Sequence, residues 1–281
     1  MERRDTVVLY HKHCPDGFGA AYAAWKKFGN TAEYIPVGYG DPVVHGLEGR
    51  EVFMVDFCYE LPGEVELLAR ITRRFVVLDH HKGARERVLS VPEHVFDETR
   101  SGATIAWNYF HPDEPLPRFL QVIQDGDLYT FALPETRQMR AYISIMPHDF
   151  LLWDKTVAEF EQPTKRASII KKAAHYYEYY NALIRLSVDS AKRIRFEGYT
   201  CYFATTHPSM RSEVAHELCM KLPPLALVVN AHPDGLGVSV RGDGSIDVSK
   251  IAEKYNGGGH ASSAGFFIRN GIEMPWVELE D

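Results

Sequence analysis

From residue 7 onward the chain alternates short, uninterrupted apolar runs with stretches whose apolar residues recur at helical spacing. Val7-Val8-Leu9-Tyr10, Tyr34-Ile35-Pro36-Val37, Val52-Phe53-Met54-Val55 and Phe75-Val76-Val77-Leu78 have the length and β-branched content of strands, and helical patterns fall near 17–28 and 62–72. Strands apolar on both sides, separated by helices, predict an α/β fold with a largely parallel, doubly wound sheet. In such a sheet the functional side chains gather at the carboxyl ends of the strands. Helical patterning continues over 101–110 and 116–124, and a stretch from about 165 to 195 lacks Pro and Gly while keeping helical spacing. After Gly198 the pattern restarts as strand, helix, strand, strand, helix over 201–205, 211–221, 225–230, 237–241 and 248–255. The expected organisation is an N-terminal domain over 1–164, a helical linker over 165–196 and a smaller C-terminal α/β domain over 197–281.

Composition narrows the class. The 281 residues, 45% hydrophobic and 25% charged, fit one large or two modest globular domains. Apolar runs such as Leu225-Ala226-Leu227-Val228-Val229 are far short of the ~20 residues that cross a bilayer, so no membrane partner is expected. The start, Met1-Glu2-Arg3-Arg4-Asp5, lacks the pattern of a signal peptide, and a cytoplasmic location is the expectation. Cys14, Cys58, Cys201 and Cys219 form no C-x-x-C pair and read as free thiols. A metal role for Cys14 is disfavoured, because hard-metal hydrolase sites prefer oxygen and imidazole. A formal charge of −7 argues against coating long duplex nucleic acid. Basic clusters at Arg70/Arg73/Arg74, Lys82/Arg85/Arg87 and Lys165/Arg166/Lys171/Lys172 each read, taken alone, as solvated helix faces. Tyr176, Tyr177, Tyr179 and Tyr180 read as packing residues before base-stacking ones.

The candidate chemistry lies at strand ends. Tyr10 is followed by His11, Val55 by Asp56, and Leu78 by Asp79-His80-His81. One acid after a strand commonly caps the next helix; three strands ending in His or Asp point instead to a shared metal site. The segment His11-Lys12-His13-Cys14-Pro15-Asp16-Gly17 leaves the first strand and opens a helix, whose N-terminus favours a bound phosphate. Asp16 reads either as a ligand or as a helix cap. Gly257-Gly258-Gly259-His260 brings flexible backbone amides and an imidazole to one turn, and Arg241 suits bidentate phosphate recognition.

His11 with Asp16-Gly17, Val55-Asp56, Asp79-His80-His81, Asp125-Gly126-Asp127-Leu128-Tyr129-Thr130-Phe131, and finally Gly257-Gly258-Gly259-His260 with Ala264-Gly265 occur in that order. With these five motifs the chain resembles the DHH phosphoesterase superfamily, which includes RecJ-like nucleases, nanoRNases and dinucleotide phosphodiesterases, with its C-terminal DHH-associated domain. The resemblance implies that His11, Asp16 and Asp56 hold one manganese-like ion and Asp56, His80 and Asp127 a second, with Asp56 bridging. It implies that Asp125 supports the site without binding metal, that His81 contacts the phosphate or assists the leaving group, and that Asp79 orients an imidazole. Arg241, Gly257, Gly258, Gly259 and His260 would grip the substrate, in a cleft between the domains. One departure stands out: Phe18 occupies the position where many relatives carry a further Asp, so the second ion loses a ligand. Two Mn²⁺ ions are expected, with Mg²⁺ the alternative.

The expected reaction is hydrolysis of short oligonucleotides or of linear or cyclic dinucleotides to mononucleotides, since relatives that process long strands carry extra domains. Two alternatives stay open: a phosphatase for 3′-phosphoadenosine 5′-phosphate or polyphosphate, and a nucleotide-binding sensor without turnover. Expected partners are a small phosphorylated substrate and, as a homodimer, a second copy of the chain.

Overall fold

The computed structural model describes residues 4–279. The chain divides into two compact units, 1–177 and 178–281. The first contains β1 (Thr6–His11), α1 (Pro15–Phe28), β2 (Ala32–Val37), β3 (Glu51–Val55), α2 (Glu64–Ile71), β4 (Arg74–Asp79), α3 (Arg85–Ser90), β5 (Glu93–Phe96), α4 (Gly102–Phe110), α5 (Arg118–Asp127), α6 (Thr136–Ile143) and α7 (Phe150–Phe160). The long helix α8 (Pro163–Asp189) begins in this unit and ends in the second.

The five strands pair in the order β2-β1-β3-β4-β5, all parallel, as the apolar runs predict. Successive strand residues point to opposite faces, and both faces are covered. Val8, Phe53, Val76 and Leu78 join a core with Phe18, Tyr22, Trp107, Phe119 and Trp153. Leu9, Met54 and Val77 join a second core with Phe57, Leu68 and Val88. Each fully buried apolar side chain contributes roughly 1.5–3 kcal/mol, which is why continuous Val/Leu/Phe runs are needed here. Strand β5 escapes the sequence pattern because it is four residues long, lies at the sheet edge and is only half-buried.

The order of strands matters for the site. From β1 the chain moves to one side for β2 and returns to the other side for β3, so the sheet has a switch point between β1 and β3, where a crevice opens outside the strand ends. The register pairs Tyr10 with Val55 and Val55 with Leu78, so His11, Asp56 and Asp79, the next residues, leave the three adjacent strands at one level.

The second unit contains β6 (Lys192–Phe196), β7 (Tyr199–Thr205), α9 (Arg211–Lys221), β8 (Leu225–His232), β9 (Gly235–Gly242), α10 (Val248–Glu253), β10 (Gly258–His260), β11 (Ser263–Arg269) and β12 (Trp276–Glu278). They form one sheet in the order β10-β11-β9-β8-β7-β6-β12, in which β7 and β8 are parallel and the other pairs antiparallel. The helical reading of 165–195 therefore runs too far. Its last residues belong to β6, where buried Ile194 and Phe196 alternate with half-buried Arg193 and exposed Arg195, a period of two. On α8 the Tyr176 ring packs on Tyr142, with centroids 5.6 Å apart, and Tyr180 donates to the Ser209 carbonyl, whereas Tyr179 stands 67% exposed. No helix among the described residues is long and apolar enough to cross a membrane.

Candidate metal centre

Asp56 is the middle of the site. It follows β3, is 1% exposed, and holds a φ of 55°, in the left-handed region that few residues with a Cβ occupy. Its amide donates to the Leu78 carbonyl at 2.8 Å, which fixes the turn. His11 Nδ1 lies 3.6 Å from one carboxylate oxygen and His80 Nε2 lies 3.2 Å from the other. None of these four atoms, buried as they are, has a hydrogen bond of proper alignment. Buried polar groups without partners cost about 1–3 kcal/mol each, and such a set is what a cation would satisfy.

The neighbouring ligand candidates fall into three groups, one of which joins Asp56 with Asp79, His80 and His81. Asp16, His80 and Asp127 each offer an atom within 4.8 Å of the others, and His80 Nε2 is 3.7 Å from both carboxylates. His11, Cys14 and Asp56 form a group of the same closeness. The resemblance pairs Asp16 with His11; the geometry sets Asp16 nearer the His80 group and puts the Cys14 sulfur beside His11. A Cβ at Gly17 would lie 2.3 Å from the His11 carbonyl oxygen, so the first turn of α1 can press against the end of β1 only with glycine there.

Two supports hold the carboxylates and rings. The first turn of α4 grips Asp16: the amides of Gly102 and Ala103 donate to its two oxygens at 2.6 and 3.0 Å. Ser101 caps that helix by accepting from the Thr104 amide. A Cβ at Gly102 would fall 2.4 Å from Asp56 Oδ1. This support is absent from the sequence reading; Ser101-Gly102 before an apolar helix is its faint signal. The second support is Asp79, fully buried, whose Oδ1 accepts from the amides of His80 and His81 and lies 2.7 Å from His81 Nδ1. The imidazole that Asp79 faces is the His81 ring.

Asp125 stands apart from the cluster. It accepts from the Thr130 and Thr136 hydroxyls and from the amides of Ala132 and Leu133 at 2.8 and 3.0 Å. Burial would raise its carboxyl, but the Thr130 and Thr136 hydroxyls and the two amides hold it down to about 2. It ties the loop after Asp127, in which Tyr129 and Phe131 both have positive φ. Phe18 also points elsewhere: it is 1% exposed, stacks on His148 and Phe150, and meets Trp153 edge-on. His13 is exposed, with a φ of 56°.

Electrostatics favour a cation. Burial, then Asp56 and Asp127, push the Asp16 carboxyl well up; burial and Asp56 likewise raise Asp127. Burial opposes ionisation of Asp56 too, yet His11 and His80 hold it down. His80 is raised to about 10, since Asp56, Asp16 and Asp127 outweigh the burial that would lower it. Burial, with Asp56, Asp16 and Asp127, pushes the Cys14 thiol well up. Asp16 and Asp56 are buried and Asp127 stands at the exposed rim, and the imidazoles between them provide the positive charge. The residues present therefore fit a metal centre.

In the second unit Arg241, Ser263 and His260 are in register across β9, β11 and β10, which puts their side chains on one face. Gly258 and Gly259 belong to β10, and the Gly257 amide donates to the Ala252 carbonyl at 2.9 Å.

The DHHA1 domain family matches residues 198–277. Among solved structures, RecJ of Thermus thermophilus in complex with Mn²⁺ has the same fold, with a TM-score of 0.53 at 14% identity, over 94% of this chain and 50% of that one. The chain thus carries a C-terminal DHHA1 domain and shares the fold of RecJ. A pGpG-specific phosphodiesterase, PggH of Vibrio cholerae, matches this chain with a TM-score of 0.51 at 12% identity, over 94% of this chain and 93% of that one. An uncharacterized protein of Acanthamoeba polyphaga mimivirus is 28% identical over 98% of this chain and 70% of its own length.

Proposed function

We propose that this protein is a metal-dependent phosphodiesterase that hydrolyses short oligonucleotides or linear or cyclic dinucleotides to mononucleotides. The observation that carries the reading is Asp56, buried with both carboxylate oxygens lacking a hydrogen bond between two imidazoles. His11 and Asp56 would hold one ion, and Asp16, Asp56, His80 and Asp127 the other. Bound there, a pair of divalent ions such as Mn²⁺ or Mg²⁺ would supply an acidified water and neutralise phosphoryl charge. The matched proteins, an exonuclease solved with Mn²⁺ and a pGpG-specific phosphodiesterase, support this ion and this substrate class.

The chain's own contribution begins with charge placement, since the buried carboxylates fix where cationic charge can sit. His81 then acts on the leaving oxygen. Its Nδ1 faces Asp79, which leaves Nε2 for the substrate. Burial would lower its pKa, but the Asp79 hydrogen bond and Asp56 raise it, which favours the protonated ring that a general acid needs. Arg241 and His260, on one face of the DHHA1 sheet, would bind anionic groups of the substrate. A cytoplasmic setting agrees with four unpaired cysteines.

The test is incubation of the protein with Mn²⁺ and pApA, pGpG, 3′-phosphoadenosine 5′-phosphate or polyphosphate, beside an Asp79→Ala, His80→Ala double variant. Mononucleotide release from the dinucleotides by the parent protein alone is expected. Equal, negligible turnover by both proteins on every substrate would overturn the reading.

A further inference from the structure

The first metal position has a donor that the family resemblance does not assign. We propose that Cys14 Sγ is a ligand there, with His11 and Asp56, and that this position takes a borderline-soft divalent cation, of the zinc, cobalt or ferrous class, in preference to Mn²⁺. The inference rests on the metal-dependent reading of the site and specifies one of its two positions.

Four observations carry it. The sulfur, an imidazole nitrogen and a carboxylate oxygen lie within 4.8 Å of one another. Donors bound to a single ion at about 2.0–2.3 Å stand no more than about 4.6 Å apart, so three such atoms need little movement to share one. Asp56, 99% buried by its 1% exposure, brings two oxygens without hydrogen bonds, and His11 Nδ1 is buried in the same condition. These polar atoms require a partner whatever the sulfur does.

Cys14 is also misplaced for any structural duty. It occupies the N-cap of α1, where Ser, Thr, Asp or Asn would accept from the helix amides, and its sulfur makes no well-formed capping bond, meeting only the Gly17 amide. Nor does it pack as the others do: Cys58, Cys201 and Cys219 lie in apolar clusters, whereas Cys14 is partly buried beside Asp16, Asp56 and Asp127. Finally, position 18 brings no donor, because the Phe18 side chain is sealed in the aromatic core. With Asp16 gathered toward His80 and Asp127, the sulfur is what remains to complete the set around His11.

Thiolate biases a site toward zinc, cobalt and iron, while all-oxygen sites suit manganese and magnesium. Binding forms a metal–sulfur bond and breaks the S–H bond, with the proton released to solvent. The two positions would then differ in kind, one bearing a sulfur donor and the other built from carboxylates and imidazole.

The decisive measurement is X-ray absorption on the full chain reconstituted with Zn²⁺, together with the near-ultraviolet charge-transfer band of the Co²⁺ form. A sulfur shell at about 2.3 Å is expected in the parent protein. It should persist in Cys219→Ser and vanish in Cys14→Ser and Cys14→Asp. In competition, Cys14→Asp should shift the bound Zn²⁺/Mn²⁺ ratio toward manganese by at least about tenfold. Stoichiometric metal with only nitrogen and oxygen neighbours in the parent protein would overturn the Cys14 assignment and leave the phosphodiesterase reading standing. Absence of stoichiometric metal of any kind would overturn both. The parent spectrum decides the matter even if a variant fails to fold.

Discussion

The two units treat buried polar groups in opposite ways. Among the described residues, every polar or charged side chain counted as buried belongs to the first unit, including Asp16, Asp56, Asp79, Asp125 and Thr136. The second unit buries Phe196, Leu227, Val240 and Phe266 around an otherwise ordinary sheet core. The first unit also holds the strained Asp56 backbone, a cost of about 1–3 kcal/mol that its surroundings sustain. The difference teaches where stability has been given up for chemistry, and it shows that the buried acids are of two sorts. Asp125 is fully satisfied by hydrogen bonds, whereas Asp56 has none.

That contrast can be broken by three substitutions. The largest effect is expected from Asp56→Asn, which should lower dinucleotide hydrolysis by about a thousandfold or more, some 4 kcal/mol of barrier. It should also abolish the rise in melting temperature that metal gives the parent protein, read by calorimetry with and without Mn²⁺. Retained activity would mean that the unsatisfied acid is not the centre of the site.

Phe196→Ala should act on stability alone. Phe196 is fully buried between Tyr255, Phe266 and Trp276, and its loss should cost about 3–5 kcal/mol in urea unfolding. Metal content per folded protein should stay unchanged, and a drop would show that the two units are not separable in this sense.

The smallest effect, about 2–3 kcal/mol, is expected from Asp125→Asn, which presents an amide to four donors. Its pH dependence is distinctive. The folded carboxyl is depressed to about 2 against about 3.9 in the unfolded chain, so its stabilisation is complete above about pH 4 and is lost as pH falls through 2. The gap between parent and variant should therefore close across that window in acid unfolding curves; a gap constant with pH would exclude the depressed carboxyl as its source.

Much of this was legible in the sequence. The strands β1, β3 and β4 announce themselves because both faces are buried, and the residues that follow them reach one sheet edge because parallel strands end in register. Strands of three or four residues, such as β5, β10 and β12, carry too few side chains for a period to show. Helices α6 and α7 follow the turn that Asp125 organises, and the sequence reading assigned no element there. The grouping of ligands was out of reach for another reason. Cys14, Asp16 and Phe18 lie two residues apart along a strand-to-helix turn, where a change of direction sends one toward His11, one toward His80 and one into the core. Spacing alone cannot resolve which goes where.

The contact between the start of α4 and Asp56 has a consequence for genetics. Any side chain at Gly102 would collide with the Asp56 carboxylate that it backs, although Gly102 is not a candidate ligand and carries no reactive atom. In a screen for inactive alleles, Gly102→Ala would score beside the candidate metal-site aspartates themselves, and a reader ranking positions by chemical reactivity would pass it over.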